Sequence, residues 1–287
     1  MTDYLAYAAR GKNSWWRYIL AVGLALILAT VLTAVVIVIV LLVTRLPPTE
    51  FAQKIQDPGH PLSFFFFNGL TFLLVLAGFA GAIAIVHRKR PGDILGAWTW
   101  RGFAAGAGMW AAALVALTLL DVAMRPKGFH VSASRDTPVL AAAALCGLAV
   151  QTFAEEFVFR GYLTQGLLLA TKRPIPAAVI SGLLFGALHI PNGWPQAVNA
   201  VLFGVVLSLI AIRTGGIAFG YGLHLANNLF GAVVLVSSGD AFRGSPGLFT
   251  QNTPQLMWWD TAAGAIALIA LAVVVYRRSA PGTPAIS

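Results

Sequence analysis

Two glutamates and an arginine lie in a part of the chain that is otherwise apolar. Between Pro138 and Thr171 the charged residues are Glu155, Glu156 and Arg160. An ionisable group in a membrane-length apolar segment costs a few kcal/mol on insertion scales, so each of these three is a candidate for a functional role. Glu156 and Arg160 are four residues apart, so on a helix they lie on one face and can pair. Their spacing favours a supporting role, as a buried ion pair that holds the helix in register.

Glu155 is the stronger candidate for chemistry. Successive residues of a helix are rotated by about 100°, so Glu155 cannot share the arginine in the way that Glu156 can. A carboxylate with no cation beside it in an apolar site takes up a proton more readily than one in water, which suits a general base.

Two more pairs of residues occur at helical spacing in apolar segments further along the chain. The stretch FGALH places Phe185 and His189 four residues apart, and HLANN does the same for His224 and Asn228. Asn227 points elsewhere and is the weaker candidate. An isolated histidine on an apolar helix usually has a packing role. One carboxylate, two imidazoles and one carboxamide on three apolar segments are hard to explain by packing alone.

This set of side chains could hold a water molecule and remove its proton, either directly or on a metal ion. Imidazole nitrogen and carboxylate oxygen are competent Zn²⁺ ligands and leave a position open for water. Glu155, His189 and His224 are therefore candidate metal ligands if a metal is bound. The amide of Asn228 could donate to the oxyanion of a peptide bond during cleavage. Hydrolysis within a membrane needs such a polar pocket.

The elements that would position these residues are membrane helices. The 287 residues are 58% hydrophobic and only 10% charged, with a mean hydropathy of +0.80, as in polytopic membrane proteins. Backbone groups in lipid must be satisfied within their own segment, and no strand-like alternation occurs, so an all-α fold is expected. We predict one membrane domain over 1–287, a catalytic core at 138–237, and about eight transmembrane helices, at 18–44, 62–86, 102–123, 138–160, 175–190, 196–212, 216–237 and 258–276.

The positive charges predict the orientation of these helices. The net charge is +9, but lysine and arginine fall mostly in short gaps between apolar runs. With the N-terminus inside, 12 of the 19 lie in inner segments, six lie in outer segments, and Arg160 lies within a span. This asymmetry predicts that both termini are cytoplasmic. We expect a multi-pass protein of a bacterial cell (inner) membrane, with the lipid bilayer rather than nucleic acid as its partner.

One geometric difficulty follows from these spans. Glu155 and His224 fall nearer the inner side of the membrane, whereas His189 falls almost a full span outward. If the three residues meet, either the fifth span starts deeper than drawn or a helix is broken near Gly161 or Pro191.

The three motifs together resemble those of a known family. EEFVFR fits EExxxR, FGALH fits FxxxH and HLANN fits HxxxN, in that order on successive apolar segments. This arrangement is similar to that of the CPBP intramembrane proteases. That family includes the type II CAAX prenyl endopeptidases, the bacteriocin-processing and abortive-infection proteins, and the lysostaphin-resistance-type proteins. Each motif is short, but the ordered set is specific, and the resemblance covers about residues 138–237.

The resemblance implies an eight-helix fold with a catalytic cavity inside the bilayer. By position in the motifs, Glu155 is implied to be the water-activating base, and His189, His224 and Asn228 complete a water or metal site. Glu156 and Arg160 are implied to have a supporting role. The implied substrate is a peptide or protein at the membrane, either prenylated or leader-bearing, and the implied cofactor is Zn²⁺ or none.

Other functions remain open at this point. The chain has no HExxH motif, its SSGD lies at a helix end rather than inside a span, and VISGLL lacks the first glycine of GxSG. These absences count against the site-2, aspartyl and rhomboid-like serine proteases. A transporter could use Glu155 and the histidines as a proton path, although no repeated halves are visible. A non-catalytic membrane scaffold would leave the four convergent polar residues unexplained.

Overall fold

The computed structural model of the chain describes residues 3–239, 241–245 and 247–278. Helices make up most of these ranges, so the predicted all-α polytopic class is confirmed. The α-helices are α1 (Asp3–Ala8), α2 (Trp15–Thr44), α3 (Pro48–Gln56), α4 (Pro61–Ala82), α5 (Pro91–Leu95), α6 (Trp100–Met124), α7 (Thr137–Glu155), α8 (Thr164–Thr171), α9 (Pro174–Ala187), α10 (Trp194–Thr214), α11 (Ala218–Leu229) and α12 (Met257–Arg278).

Short helical pieces of other types extend or join these helices. Three stretches are π-helical and prolong α4, α7 and α11: Ile83–His87, Glu156–Leu163 and Phe230–Val234. Single 3₁₀ turns occupy Pro126–Gly128, Ile190–Asn192 and Pro254–Leu256. Single-turn π insertions in α-helices occur frequently at functional sites, and the stretch after α7 contains two of the three charged residues that drew attention in the sequence.

Within the described ranges, six helices are long and apolar enough to cross a membrane. They are α2, α4 with its π-helical end, α6, the continuous run from α7 through α8, α10 and α12. The other two predicted spans are shorter than expected. Helix α9 has 14 residues, about 21 Å at 1.5 Å per residue. Helix α11 has 12 residues and gains 5 from its π-helical end.

The continuous helix from α7 through the π-helical stretch to α8 resolves the geometric difficulty posed by the sequence, because it ends at Thr171 and Glu155 lies well inside it. Of the two positions considered for a broken helix, Gly161 lies within this continuous run. The chain instead reverses direction between α9 and α10, through the 3₁₀ turn Ile190–Asn192 that contains Pro191. His189, just after α9, and Glu155 thus lie at similar distances along their helices from the turn that joins α8 to α9.

Glycines allow the central helices to approach at backbone distance. A Cβ atom on Gly204 of α10 would lie 2.5 Å from the Cα of Gly182 of α9, so neither helix tolerates a side chain there. Helices α6 and α11 meet in the same way at Gly106, where a Cβ would lie 2.1 Å from the carbonyl oxygen of Phe219. Small residues at crossings are typical of membrane helix packing, and here they bring α9 against α10 and α6 against α11.

A small sheet lies at the ends of the helices and was not expected from the sequence. Its strands are β1 (Phe129–Val131), β2 (Leu235–Ser237) and β3 (Phe249–Gln251). Their order is β1-β3-β2, with β1 antiparallel and β2 parallel to β3. Strands of three residues are too short to produce a visible alternation, and they leave the all-α class unchanged.

The N-terminal helix α1 packs against α5, α8 and α10 and contacts the π-helical stretch through Tyr4. Tyr4 is fully buried, and its hydroxyl donates to the carbonyl oxygen of Arg160. The ammonium of Lys89 donates to the carbonyl oxygen of Ala8, 2.8 Å away, at the end of this helix. Burial lowers the pKa of Lys89 to about 8 and raises the pKa of the Tyr4 phenol above its ordinary value. These contacts fix α1 to the helices that carry the candidate site.

Candidate functional site

The four residues predicted to act together line one cavity. Its volume is about 310 Å³, and its wall includes Glu155, His189, His224 and Asn228. Glu155 lies at the end of α7, His189 just after α9, and the other two on α11. Residues from α6, α10, α12 and the sheet complete the wall. The structure thus brings together side chains that are up to 73 positions apart in the sequence.

Behind the cavity, Glu156 joins Arg160 and His224. Its Oε1 lies 3.1 Å from Nη1 of Arg160, so the pair predicted from the spacing forms, and both side chains are fully buried. The same oxygen lies 2.8 Å from Nδ1 of His224. An ionised carboxylate only accepts hydrogen bonds, so Nδ1 of His224 carries the proton. The Nε2 atom of His224 is then left with a lone pair.

Glu155 lies on the opposite side of His224. Its Oε2 is 3.6 Å from Nε2 of His224, and its Oε1 accepts a hydrogen bond of 3.1 Å from the amide of Gln151. The amide of Asn68 on α4 in turn donates to Gln151 across 2.6 Å. Neutral amides thus orient Glu155, whereas a guanidinium compensates Glu156.

His189 is held in one tautomer by the backbone. Its Nδ1 lies 2.8 Å from the carbonyl oxygen of Phe185, which only accepts, so this nitrogen carries the proton and Nε2 is free to accept. The Phe185 ring is 4.5 Å from the His189 ring and 5.8 Å from the His224 ring, centroid to centroid. The guanidinium carbon of Arg160 lies 4.1 Å from the centroid of the same ring. Phe185 therefore packs against the buried cation and against both imidazoles, which gives the aromatic residue of this motif a packing role.

The two neighbouring asparagines have different partners. The amide of Asn228 donates to Oγ1 of Thr152 at 3.0 Å, and an amide has a second hydrogen that this bond does not use. Asn227, expected to point elsewhere, also lines the cavity, where its oxygen accepts from Nε1 of Trp110 at 3.1 Å. Asn228 can thus donate into the cavity while Thr152 fixes its orientation.

The donor atoms can be compared with the requirements of a metal ion. Imidazoles whose Nδ1 is held by an acceptor are typical zinc ligands, so the chemistry of Glu155, His189 and His224 is suitable. Among the described residues, however, no three His, Cys, Asp or Glu side chains lie close enough together to hold an ion. The set as placed does not fit a three-ligand centre, and zinc binding stays a prediction.

Some residues of the site were missed in the sequence. Gln151 precedes Glu155 by four positions, and Thr152 precedes Glu156 by four, so the same helical spacing that paired Glu156 with Arg160 could have found them. Asn68 could not have been found in this way, because it lies 83 residues from Gln151 and reaches it only through the packing of α4 against α7.

The fold and the cavity define a polytopic membrane protein with a buried polar site made of glutamate, histidine and asparagine. Residues 137–230 match the model of the family described as type II CAAX prenyl endopeptidase Rce1-like. This stretch of the chain is therefore similar to that family, in agreement with the resemblance of its three motifs to those of the CPBP proteases. This match supports intramembrane endopeptidase activity in general.

A relative is found in Bacillus subtilis (strain 168). This chain is 27% identical over 287 residues to the uncharacterized protein YyaK, covering 94% of this chain and 95% of that protein. No solved structure matches the chain significantly. The division into one domain over 1–287 with a catalytic core at 138–237 stays a prediction.

Proposed function

We propose that this protein is an intramembrane endopeptidase in which Glu155 activates a water molecule. The observation that carries the proposal is the 3.6 Å gap between Oε2 of Glu155 and Nε2 of His224. The Nε2 atom is an acceptor because Glu156 holds the proton on Nδ1, and an ionised Glu155 is also an acceptor. Two facing acceptors in a buried site need a donor between or beside them, and water is the donor that hydrolysis requires.

The proposed reaction follows from these positions. Glu155 removes a proton from the water as its oxygen attacks the carbonyl carbon of the substrate, and the electron pair of the C=O double bond moves to the oxygen. The free amide hydrogen of Asn228 donates to this oxyanion. The C–N bond then breaks, and Glu155 returns the proton to the leaving amine. The water has one further hydrogen, which the Nε2 atom of either His224 or His189 accepts, so that the imidazoles orient it.

Glu156 and Arg160 act through His224 in this proposal. Arg160 compensates the charge of Glu156 in a fully buried pair, and Glu156 fixes the tautomer of His224. Without the carboxylate the imidazole could turn or exchange its proton between the two nitrogens. These two residues are therefore positioning residues.

The proposed substrate is a peptide or protein segment at the membrane, either prenylated or leader-bearing. The proposed location is the cell (inner) membrane of a bacterium, with both termini cytoplasmic, as the distribution of lysine and arginine favours. Reporter fusions after residues 90 and 278 should both give a cytoplasmic signal. A periplasmic signal at either junction would contradict this orientation.

The activity can be tested with purified protein in lipid vesicles. Two probes are suitable: a farnesylated peptide ending in a CAAX sequence, and an unbiased peptide library whose new termini are read by mass spectrometry. Glu155→Gln keeps the shape of the side chain but removes the base, so turnover should fall by about 10⁴-fold with an unchanged thermal midpoint.

Glu50→Gln is a matched control, since Glu50 is a partly exposed carboxylate paired with Lys54 outside the cavity. It should leave turnover unchanged. Persistence of cleavage in Glu155→Gln, or no cleavage of any peptide by the unaltered protein, would overturn the proposal. Metal analysis of the active protein decides on zinc: one equivalent lost together with activity on chelation supports it, and full activity without metal rejects it.

A further inference from the structure

The small sheet contributes a wall of the candidate cavity. Strand β2 begins where the π-helical end of α11 stops, so it directly continues the helix that carries His224 and Asn228. Leu235 and Ser237 of β2 and Gln251 of β3 line the same cavity as the four polar residues. The sheet is therefore close enough to contact whatever segment occupies that cavity.

Strand β2 lies at the edge of the sheet. In the part of the chain that the structure describes, β3 pairs with it on one side and no strand pairs on the other. Ser238 N–H donates to Gln251 O at 3.0 Å, so it points toward β3. Backbone groups of successive residues alternate in direction along a strand, so the N–H and C=O of Ser237 point away from β3.

The same alternation applies to Leu235, whose carbonyl also points away from β3. Its N–H is already used, because it donates to the carbonyl oxygen of Phe230. The outer edge of β2 therefore offers two acceptors and one donor in a row, the carbonyls of Leu235 and Ser237 and the N–H of Ser237. An extended peptide presents the complementary row, with its own N–H and C=O groups facing the same way at every second residue.

A substrate segment has a physical need for such an edge. Its scissile carbonyl can be attacked only if the segment is locally unwound from a helix. Unwinding in an apolar site leaves backbone N–H and C=O groups without partners, at a cost of several kcal/mol each. An edge strand supplies those partners, which is the basis of recognition by strand addition.

We propose that the outer edge of β2 binds the substrate as an added strand and presents its extended backbone to Glu155. This inference rests on the proposed function, because it concerns the substrate of the same site. The occupant is an extended, mainly apolar peptide segment that flanks the scissile bond. Recognition is through its backbone, so side chains contribute specificity only at the positions that face the cavity wall.

The inference is tested with unaltered protein and a peptide of the library that it cleaves. The peptide is resynthesised with a single N-methyl group at each position flanking the scissile bond, one position at a time. Methylation of an amide that donates to β2 should lower kcat/KM by about tenfold or more, and methylation of the next amide along should have a much smaller effect. A scan without this two-residue period on either side of the scissile bond overturns the inference.

Matched proline variants test the strand itself. Ser237→Pro removes an N–H that points away from β3 on the cavity side. Val131→Pro makes the same change on the opposite edge of the sheet, where Val131 is exposed and Ser132 N–H points toward β3. Ser237→Pro should lower kcat/KM about tenfold or more, and Val131→Pro should not, at equal thermal midpoints.

Equal losses in the two proline variants overturn the inference. If Ser237→Pro does not fold, the N-methyl scan decides alone, since it leaves the protein unchanged. Failure of the inference is distinguishable from failure of the proposed function. In the first case the unmethylated peptide is still cleaved in a Glu155-dependent manner, and in the second it is not.

Discussion

The two glutamates on either side of His224 have different surroundings. Behind the imidazole, Glu156 is fully buried and pairs with a cation that is equally buried. In front of it, Glu155 borders a cavity and is held only by a neutral amide and a histidine. In the proposed mechanism, adjacent residues of one type thus have a fixed, compensated charge on one side and a charge available for proton transfer on the other. The one-residue rotation of a helix would then be enough to separate support from chemistry.

The largest expected effect is a loss of stability when the pair of Glu156 and Arg160 is broken. Glu156→Gln leaves the buried guanidinium of Arg160 without its counter-charge, which should destabilise the protein by about 3–5 kcal/mol. Glu155→Gln should leave stability nearly unchanged, since Glu155 has no such partner. Denaturant or thermal unfolding in detergent measures both. Equal stability losses in the two variants would remove the distinction between the glutamates.

The next largest effect is a loss of kcat when Asn228, on the cavity side of His224, is replaced. Asn228→Ala removes the proposed donor to the oxyanion and should lower kcat by about 10²–10³-fold, with a smaller change in KM. The control is Asn227→Ala, which removes the neighbouring amide and its hydrogen bond with Trp110. This variant should affect kcat much less. Steady-state kinetics on a cleaved peptide measure both variants. A control that loses as much kcat as Asn228→Ala would assign the effect to packing.

The smallest expected effect concerns Lys89, whose ammonium binds the end of helix α1. Burial lowers the pKa of Lys89 to about 8, against about 10.4 in an unfolded chain. Between these values the unfolded state binds more protons, so stability rises with pH, by about 1 kcal/mol from pH 8 to pH 9. Nearby Asp93 opposes the shift and Arg10 adds to it.

The check is the pH dependence of the unfolding free energy, compared with Lys89→Met. The rise between pH 8 and pH 9 should be present in the unaltered protein and absent in the variant. A variant with the same slope would show that other groups cause the rise.

The sequence predicted those parts of the site that depend on helical spacing. The pairing of Glu156 with Arg160 and the separation of Glu155 from that pair follow from 3.6 residues per turn. The contact between Asn68 and Gln151, and the sheet in the wall of the cavity, depend on how distant elements pack. Strands of three residues contain no readable period, and the short helix α9 has the composition of a full span. These features required the three-dimensional structure.

The hydrogen bond between Tyr4 and the carbonyl of Arg160 sets an order of assembly. The two residues are 156 positions apart, so at ribosomal rates of about 5–20 residues per second the first helix is made roughly 8–30 s before its binding site. During that interval the groove that α1 occupies in the folded protein does not yet exist. The helix can dock only after the segment bearing both glutamates has been made. A segment that is synthesised early therefore reaches its final place late.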